Sequence, residues 1–318
     1  MEPFLNAAYA AGNMPELRRR ALESARGVLD RLVPPYAAMP MARVNCDKIH
    51  TYLLLLGYTQ PLSTLPPRLG DAAVRSRLLA RANHAVRDCG GPQGLLGLDY
   101  RAVLANPKMT LNELYDLVMW SVTLIEARAI DGLHLPEDVW ALPGEVWKRL
   151  RGYPWKDAST YAEGANDYTF YDVAYLATHV SYMPSGYGRY QLFVEDAPWL
   201  IRFLRDNFYA VLEMGELDLV AEFVDAFRQL GCTEENDRQV RDGARFILAL
   251  YEKAGRSWTA YREPGEVGEP TPYDIVHKPW TGMGAMRRRL FEAPAAGTYG
   301  DAARRLLGLS GRAVDQTH

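Results

Sequence analysis

Apolar residues recur along this chain every three to four positions, and no convincing stretch alternates apolar and polar. That period predicts helices throughout and no strand. From Pro15 to Val33, Leu17, Ala21, Ala25, Val28, Leu29 and Leu32 keep one face apolar, and Pro34-Pro35 is expected to end the helix. Met41 to Gly57 reads as a second helix with a buried, leucine-rich end, and Asp71 is expected to cap a third through Val86. Thr110-x-x-Glu113 is a capping-box sequence that opens a helix to Arg128. Further segments run from Glu137 to Arg151, from a cap at Asp196 to about Met214, from Glu216 to Leu230, from a cap at Thr233 to Ala254, and from Asp301 to Leu307. In the Glu216 segment Leu219, Val220, Phe223, Phe227 and Leu230 point inward and the polar positions are read as solvated.

The predicted fold is all-α. Short joints between successive helices imply antiparallel helical hairpins. They are expected to form one domain over 1–318, around one aromatic-lined cavity, with an α/α toroid among the arrangements this permits. Trp140, Trp147, Tyr153, Trp155 and Tyr161 form an aromatic region that either lines that cavity or fills a core corner. Residues 256–272, rich in Gly, Pro and Glu, are expected to be a flexible loop or flap over the site.

One segment breaks the ordinary apolar stripe. In YTFYDVAYLATHVSYMPSGYGR, Tyr168, Tyr171, Asp172, Tyr175, Thr178, His179 and Tyr182 fall near one helical face. The helix is expected to stop at Pro184, and the glycine-flexed turn that follows carries Tyr187 and Arg189. A later segment, YDIVHKPWTGMG, repeats the theme with Tyr273, Asp274, His277 and Trp280. The two segments are read as walls of one site. Asp172, Tyr175, His179, Asp274 and His277 are its candidate catalytic residues, and Tyr168, Tyr182, Tyr187, Arg189 and Trp280 its candidate substrate-binding residues. A carboxylate beside an imidazole fixes its tautomer and raises its basicity, while Arg189 suits an anionic group of a ligand.

Composition narrows the function classes. A net charge of −3 over 318 residues gives no field for nucleic acid. The longest apolar run is far too short to cross a bilayer, and the N-terminus has no signal-peptide pattern. Cys46, Cys89 and Cys232 are few, odd in number and widely spaced, so a reduced, cytoplasmic setting is expected. There is no HExxH, GxSxG, P-loop, kinase or dinucleotide fingerprint.

Acid–base chemistry without metal or other cofactor, such as cyclisation or elimination, is therefore the leading expectation. Two alternatives stay open. In one, His179 and His277 with Asp172 or Asp274 hold iron or copper. Of the other histidines, only His50 is a candidate third ligand, His84, His134 and His318 being read as surface residues. In the other, the chain is a non-catalytic helical partner subunit whose Tyr- and Trp-rich faces form an interface. The expected partners are a small-molecule or carrier-protein-bound substrate and a second helical subunit or a homodimer.

The segments YLATHVSYMPSGYG and YDIVHKPWTGMG resemble all-helical proteins of actinomycete natural-product gene clusters. The matching positions are Thr178, His179, Gly186, Gly188, Asp274, His277, Gly282 and Gly284. The aziridine-forming proteins of azinomycin-type pathways are one such group. That resemblance implies a bacterial tailoring enzyme in which an amine displaces a sulfate-like group on a carrier-bound amino acid. Asp172 or His179 would be the base and Arg189 the clamp on the leaving group. Pro279 departs from the pattern and is expected to kink its helix and displace His277.

Overall fold

The computed structural model describes Phe4, Ala7 and residues 14–59, 72–262, 268–287 and 291–310. The described residues are helical and turn, with no strand among them, as the apolar period requires. The expected cap at Asp71 and the tail beyond Ser310 lie outside the described residues. The chain divides into two compact units. The first contains Leu22–Gly152 and Glu292–His318, the second Glu2–Ala21 and Tyr153–Phe291. A chain of this length exceeds the range of about 250–300 residues in which one core stops growing.

Helix α1 spans Pro15–Ala37 and carries Pro34 and Pro35 inside its last turns, so the proline pair does not end it. In the first unit follow α2 (Ile49–Tyr58), α3 (Ala72–Asp88), α4 (Pro92–Leu96), α5 (Tyr100–Ala105), α6 (Leu111–Arg128) and α7 (Leu142–Arg151). The capping box opens α6 as read from the sequence, with Thr110 and Glu113 each bonded to the other's backbone N–H. Helix α2 packs on α3, and α6 on α7, around Leu56, Leu78, Leu117 and Leu124. The expectation of reduced cysteines is corrected: Cys46, before α2, is disulfide-bonded to Cys89, after α3. Spacing along the chain hid this pair, because the α2–α3 hairpin brings its two ends together. Cys232 alone is a thiol.

The second unit contains α8 (Tyr168–Val180), α9 (Tyr182–Ser185), α10 (Pro198–Met214), α11 (Leu217–Gln229), α12 (Arg238–Lys253) and α13 (Pro272–Ala285). Two expected caps move. Helix α10 starts after Ala197 with no side-chain cap, and Asp237, not Thr233, caps α12. Helix α11 is the centre of this unit, packed against α8, α10, α12 and α13. Every residue from Leu219 to Gln229 is buried. Phe223 and Phe227 contribute about 1.5–3 kcal/mol each by leaving water. Lastly α14 (Tyr299–Leu307) rejoins the first unit and packs on α6 and α7.

The aromatic region divides between the units. Trp147 is fully buried in the first. Trp155 in the second stacks on Trp199, with ring centroids 5.3 Å apart. The described part of the expected flap is anchored. Trp258 donates its indole N–H to the Ile247 carbonyl at 3.2 Å, and Tyr261 its hydroxyl to the Gly215 carbonyl at 3.1 Å. Residues 263–267 of that loop lie outside the described residues.

Close helix approach in the second unit depends on Gly243 of α12. A Cβ there would run into Val224 of α11 and lie 3.1 Å from Cζ of Phe208 on α10. Gly243→Ala is expected to destabilise the second unit by about 1–3 kcal/mol despite the better helix propensity of alanine. Urea unfolding followed by tryptophan fluorescence measures this; a midpoint unchanged or raised would contradict the packing.

Candidate functional site

Three helices of the second unit converge on one polar cluster. Helix α8 brings Tyr171, Tyr175, Thr178 and His179, α11 brings Asp218 and Glu222, and α13 brings His277. Asp167 caps α8 through the Thr169 N–H, and Thr271 and Asp274 form a capping box at the start of α13. Helix α13 continues through Pro279 to Ala285, so the proline does not remove His277 from the site.

Asp218 is the hub. One carboxylate oxygen, Oδ2, accepts the Tyr175 hydroxyl. The other, Oδ1, lies 3.0 Å from Nδ1 of His277 but accepts no aligned hydrogen bond and is shielded from solvent. The ring of His277 stacks on Tyr273, centroids 4.4 Å apart, and meets the edge of Trp280 at 5.6 Å.

Glu222, one turn along α11 from Asp218, is 4% exposed. Its Oε2 lies 2.5 Å from Oγ1 of Thr178 and 3.6 Å from Nδ1 of His179. Oγ1 also lies 2.7 Å from the Tyr175 carbonyl, which only accepts. The hydroxyl has one proton to give. Thr178 Oγ1 thus faces two acceptors, the Tyr175 carbonyl and Glu222 Oε2, and shares its one proton between them. Burial, reinforced by the charges of Asp218 and Asp225, raises Glu222 well above the usual carboxylate range, against an opposing effect of the hydrogen bond that Thr178 donates.

His179 lies 2.9 Å by Nδ1 from the same Tyr175 carbonyl, so Nδ1 carries the hydrogen and Nε2 is the basic nitrogen. Burial, with His277 adding repulsion, lowers this imidazole to about 3, and it is neutral at physiological pH. Burial likewise raises Tyr171, whose hydroxyl bonds Glu216, and raises Glu216 itself.

The remaining sequence candidates are placed as follows. Asp172 is half-buried on α8 and raised by burial. Among the described residues no hydrogen bond joins it to His179. Asp274 is held low by its bonds to Thr271 and serves the cap of α13. Tyr168 is 77% exposed. Tyr182 meets the edge of the His179 ring at 5.3 Å, and Tyr187 stacks on Tyr182 at 4.6 Å. Helix α8 ends at Val180 rather than Pro184, which sits inside the short α9. Gly186, Tyr187 and Gly188 then have φ of 56°, 59° and 75°. For tyrosine this is a strained backbone, and a buried network holds it. Ser185 Oγ donates to Gln229 Oε1 at 2.7 Å and accepts the Gly188 N–H at 3.1 Å. Arg189 follows that turn, its guanidinium 5.6 Å from the Tyr190 ring. His50 belongs to the first unit, exposed against Trp120.

Sequence reading missed Asp218 and Glu222. The signal was a spacing: Asp218, Glu222, Asp225 and Gln229 follow one another at four, three and four positions. This is one helical stripe on a segment otherwise apolar nearly all round. Such a helix is buried on every side, so its polar stripe has to face other protein groups.

No family model, curated protein or solved structure matches this chain.

Proposed function

We propose that the second unit is an enzyme domain that moves protons on a small polar substrate. The observation that carries this reading is the Asp218 carboxylate, shared between the Tyr175 hydroxyl and the His277 imidazole one helical turn from the buried Glu222, whose carboxyl burial raises. Base and acid stand one helical turn apart, as elimination and cyclisation both require. Asp218 with His277 takes a proton, and Glu222 or Tyr175 delivers one. Burial of an unmatched carboxylate is costly, and such groups concentrate where chemistry needs them. The finer reading keeps the bacterial tailoring role, with ring closure and loss of a sulfate-like group as the reaction the sequence resemblance implies. Its substrate is a small molecule, alone or on a carrier protein.

The test is untargeted mass spectrometry of bacterial metabolite extracts incubated with the protein. Wild type is expected to consume at least one component that Asp218→Asn leaves intact, the variant being slower by about 100-fold or more. Conversion of the same components by both proteins, or by neither, counts against an enzyme built on Asp218. A partner-subunit reading is favoured by one observation, the exposure of Tyr273, Ile275 and Val276 at the start of α13.

A further inference from the structure

We infer that Asp218, Glu222 and His277 bind a divalent transition-metal ion. The inference uses the residues of the site proposed above in another role: as ligands Glu222 would be ionised, and Asp218 and His277 would no longer take the proton. One ligand atom from each residue lies within 4.8 Å of the other two. In six-coordinate first-row sites with bonds of about 2.1 Å, neighbouring ligand atoms are about 3.0 Å apart and opposite ones about 4.2 Å; in four-coordinate sites neighbours are about 3.4 Å apart. The 3.0 Å separation of Asp218 Oδ1 and His277 Nδ1 is the separation of neighbouring ligands. These two atoms are not aligned as donor and acceptor, and Oδ1 has no hydrogen bond at all. A cation between them satisfies both lone pairs.

The surroundings are those of a metal site. The second oxygen of Asp218 is oriented by the Tyr175 hydroxyl, and Glu222 Oε2 by Thr178. Outer partners of this kind fix the direction of ligand atoms. His277 is held by Tyr273 and Trp280 on either side. The ligands come from two helices, α11 and α13, packed side by side, with Asp218 and Glu222 on one face of α11. His179 is outside the set, which is Asp218, Glu222 and His277.

Two carboxylates and one imidazole select Zn2+, Mn2+, Fe2+ or Co2+ rather than a soft copper(I) ion or the all-oxygen shell of Ca2+. Three protein ligands leave positions for water or substrate. The sequence alone favoured metal-free chemistry and, failing that, a metal on Asp172 or Asp274. Asp274 is committed to the α13 cap, and the geometry points instead to two carboxylates of α11.

The test uses full-length protein stripped with chelator and titrated with Co2+, followed by visible d–d absorption and by calorimetry. Wild type is expected to bind one Co2+ per chain with a Kd of about 10 µM or tighter. Glu222→Gln and His277→Ala are expected to bind at least about tenfold more weakly. His50→Ala, in the first unit, binds as wild type. Absence of Co2+ binding by wild type, or equal binding by Glu222→Gln and His277→Ala, overturns the inference. Because the readout needs no turnover, its failure leaves the Asp218→Asn comparison standing. Conversely, Co2+ binding without any conversion would retain the metal site and remove the proton-transfer reading.

Discussion

Glu222→Gln is expected to raise the thermal stability of the metal-free protein at neutral pH while removing its function. Most changes at a fully buried polar residue destabilise. This one differs because the wild-type group carries a proton only at the expense of its solution preference. In the unfolded chain Glu222 ionises above about 4.5. In the folded chain it is shielded from water and faces Asp218 and Asp225, which holds the proton on to higher pH. Between those two values the unfolded state loses a proton that the folded state keeps, so folding is progressively disfavoured as pH rises through that window. Glutamine has the shape of the acid without its charge, and its amide oxygen can accept the Thr178 hydroxyl in place of the carboxylate. The variant is expected to gain about 1–3 kcal/mol at pH 7 to 8, and the gain should shrink to about 0.4 kcal/mol as pH falls to about 4.5, where the folded wild type is protonated and the unfolded chain half protonated. Differential scanning calorimetry in the presence of chelator, at pH 4.5 and pH 7.5, measures it. A variant less stable than wild type at pH 7.5 would mean that Glu222 is a structural carboxylate. A stability gain combined with lost Co2+ binding is the signature of a residue kept for function against its own stability cost.

Arg228→Ala is expected to have the largest destabilising effect, about 3–5 kcal/mol. Arg228 lies on α11, two turns past Glu222, and its side chain is fully buried. Its Nε donates to the Ala285 carbonyl at the end of α13 at 2.5 Å, and its Nη2 to Glu234 Oε1 at 2.5 Å. Truncation leaves a carbonyl at the C-terminal end of a helix without its donor, strips Glu234 of its partner and opens a cavity. The same bond ties α13 to α11, so it holds the helix of His277 against the helix of Asp218. Arg228→Met fills most of the volume without the charge, and should recover part of the stability but not the tie. Urea midpoints for the two variants separate packing from pairing. An Arg228→Ala protein within about 1 kcal/mol of wild type would show that the Ala285 carbonyl finds another donor and that the cavity closes, the partly exposed Glu234 turning to water.

Legibility of the site followed the range of the interactions involved. His179 and His277 stood out because each lies on a short segment unusually rich in Tyr and Asp. Asp274 stood out for the same reason, yet it is bonded to Thr271, three residues away, as half of a helix cap. The capping box at Thr110 was read correctly from the same kind of spacing. The partner of His277 is Asp218, far away in the chain, on a segment that reads as an ordinary amphipathic helix. No local pattern couples two such positions.

Helical periodicity, the Thr110 cap and the stops at Gly215 and Gly255 are set by interactions within a few residues of one another, and for that reason the amino-acid sequence determined them unaided. Tertiary structure alone decided that α11 is enclosed on all sides, which turned its polar stripe from a solvated face into a buried cluster. It alone decided that Cys46 meets Cys89, and where the chain divides into two compact units. Each of these is a pairing between segments distant in the chain. Which distant segments meet is fixed by how whole helix faces bury one another, and a residue's own neighbours in sequence carry no record of it.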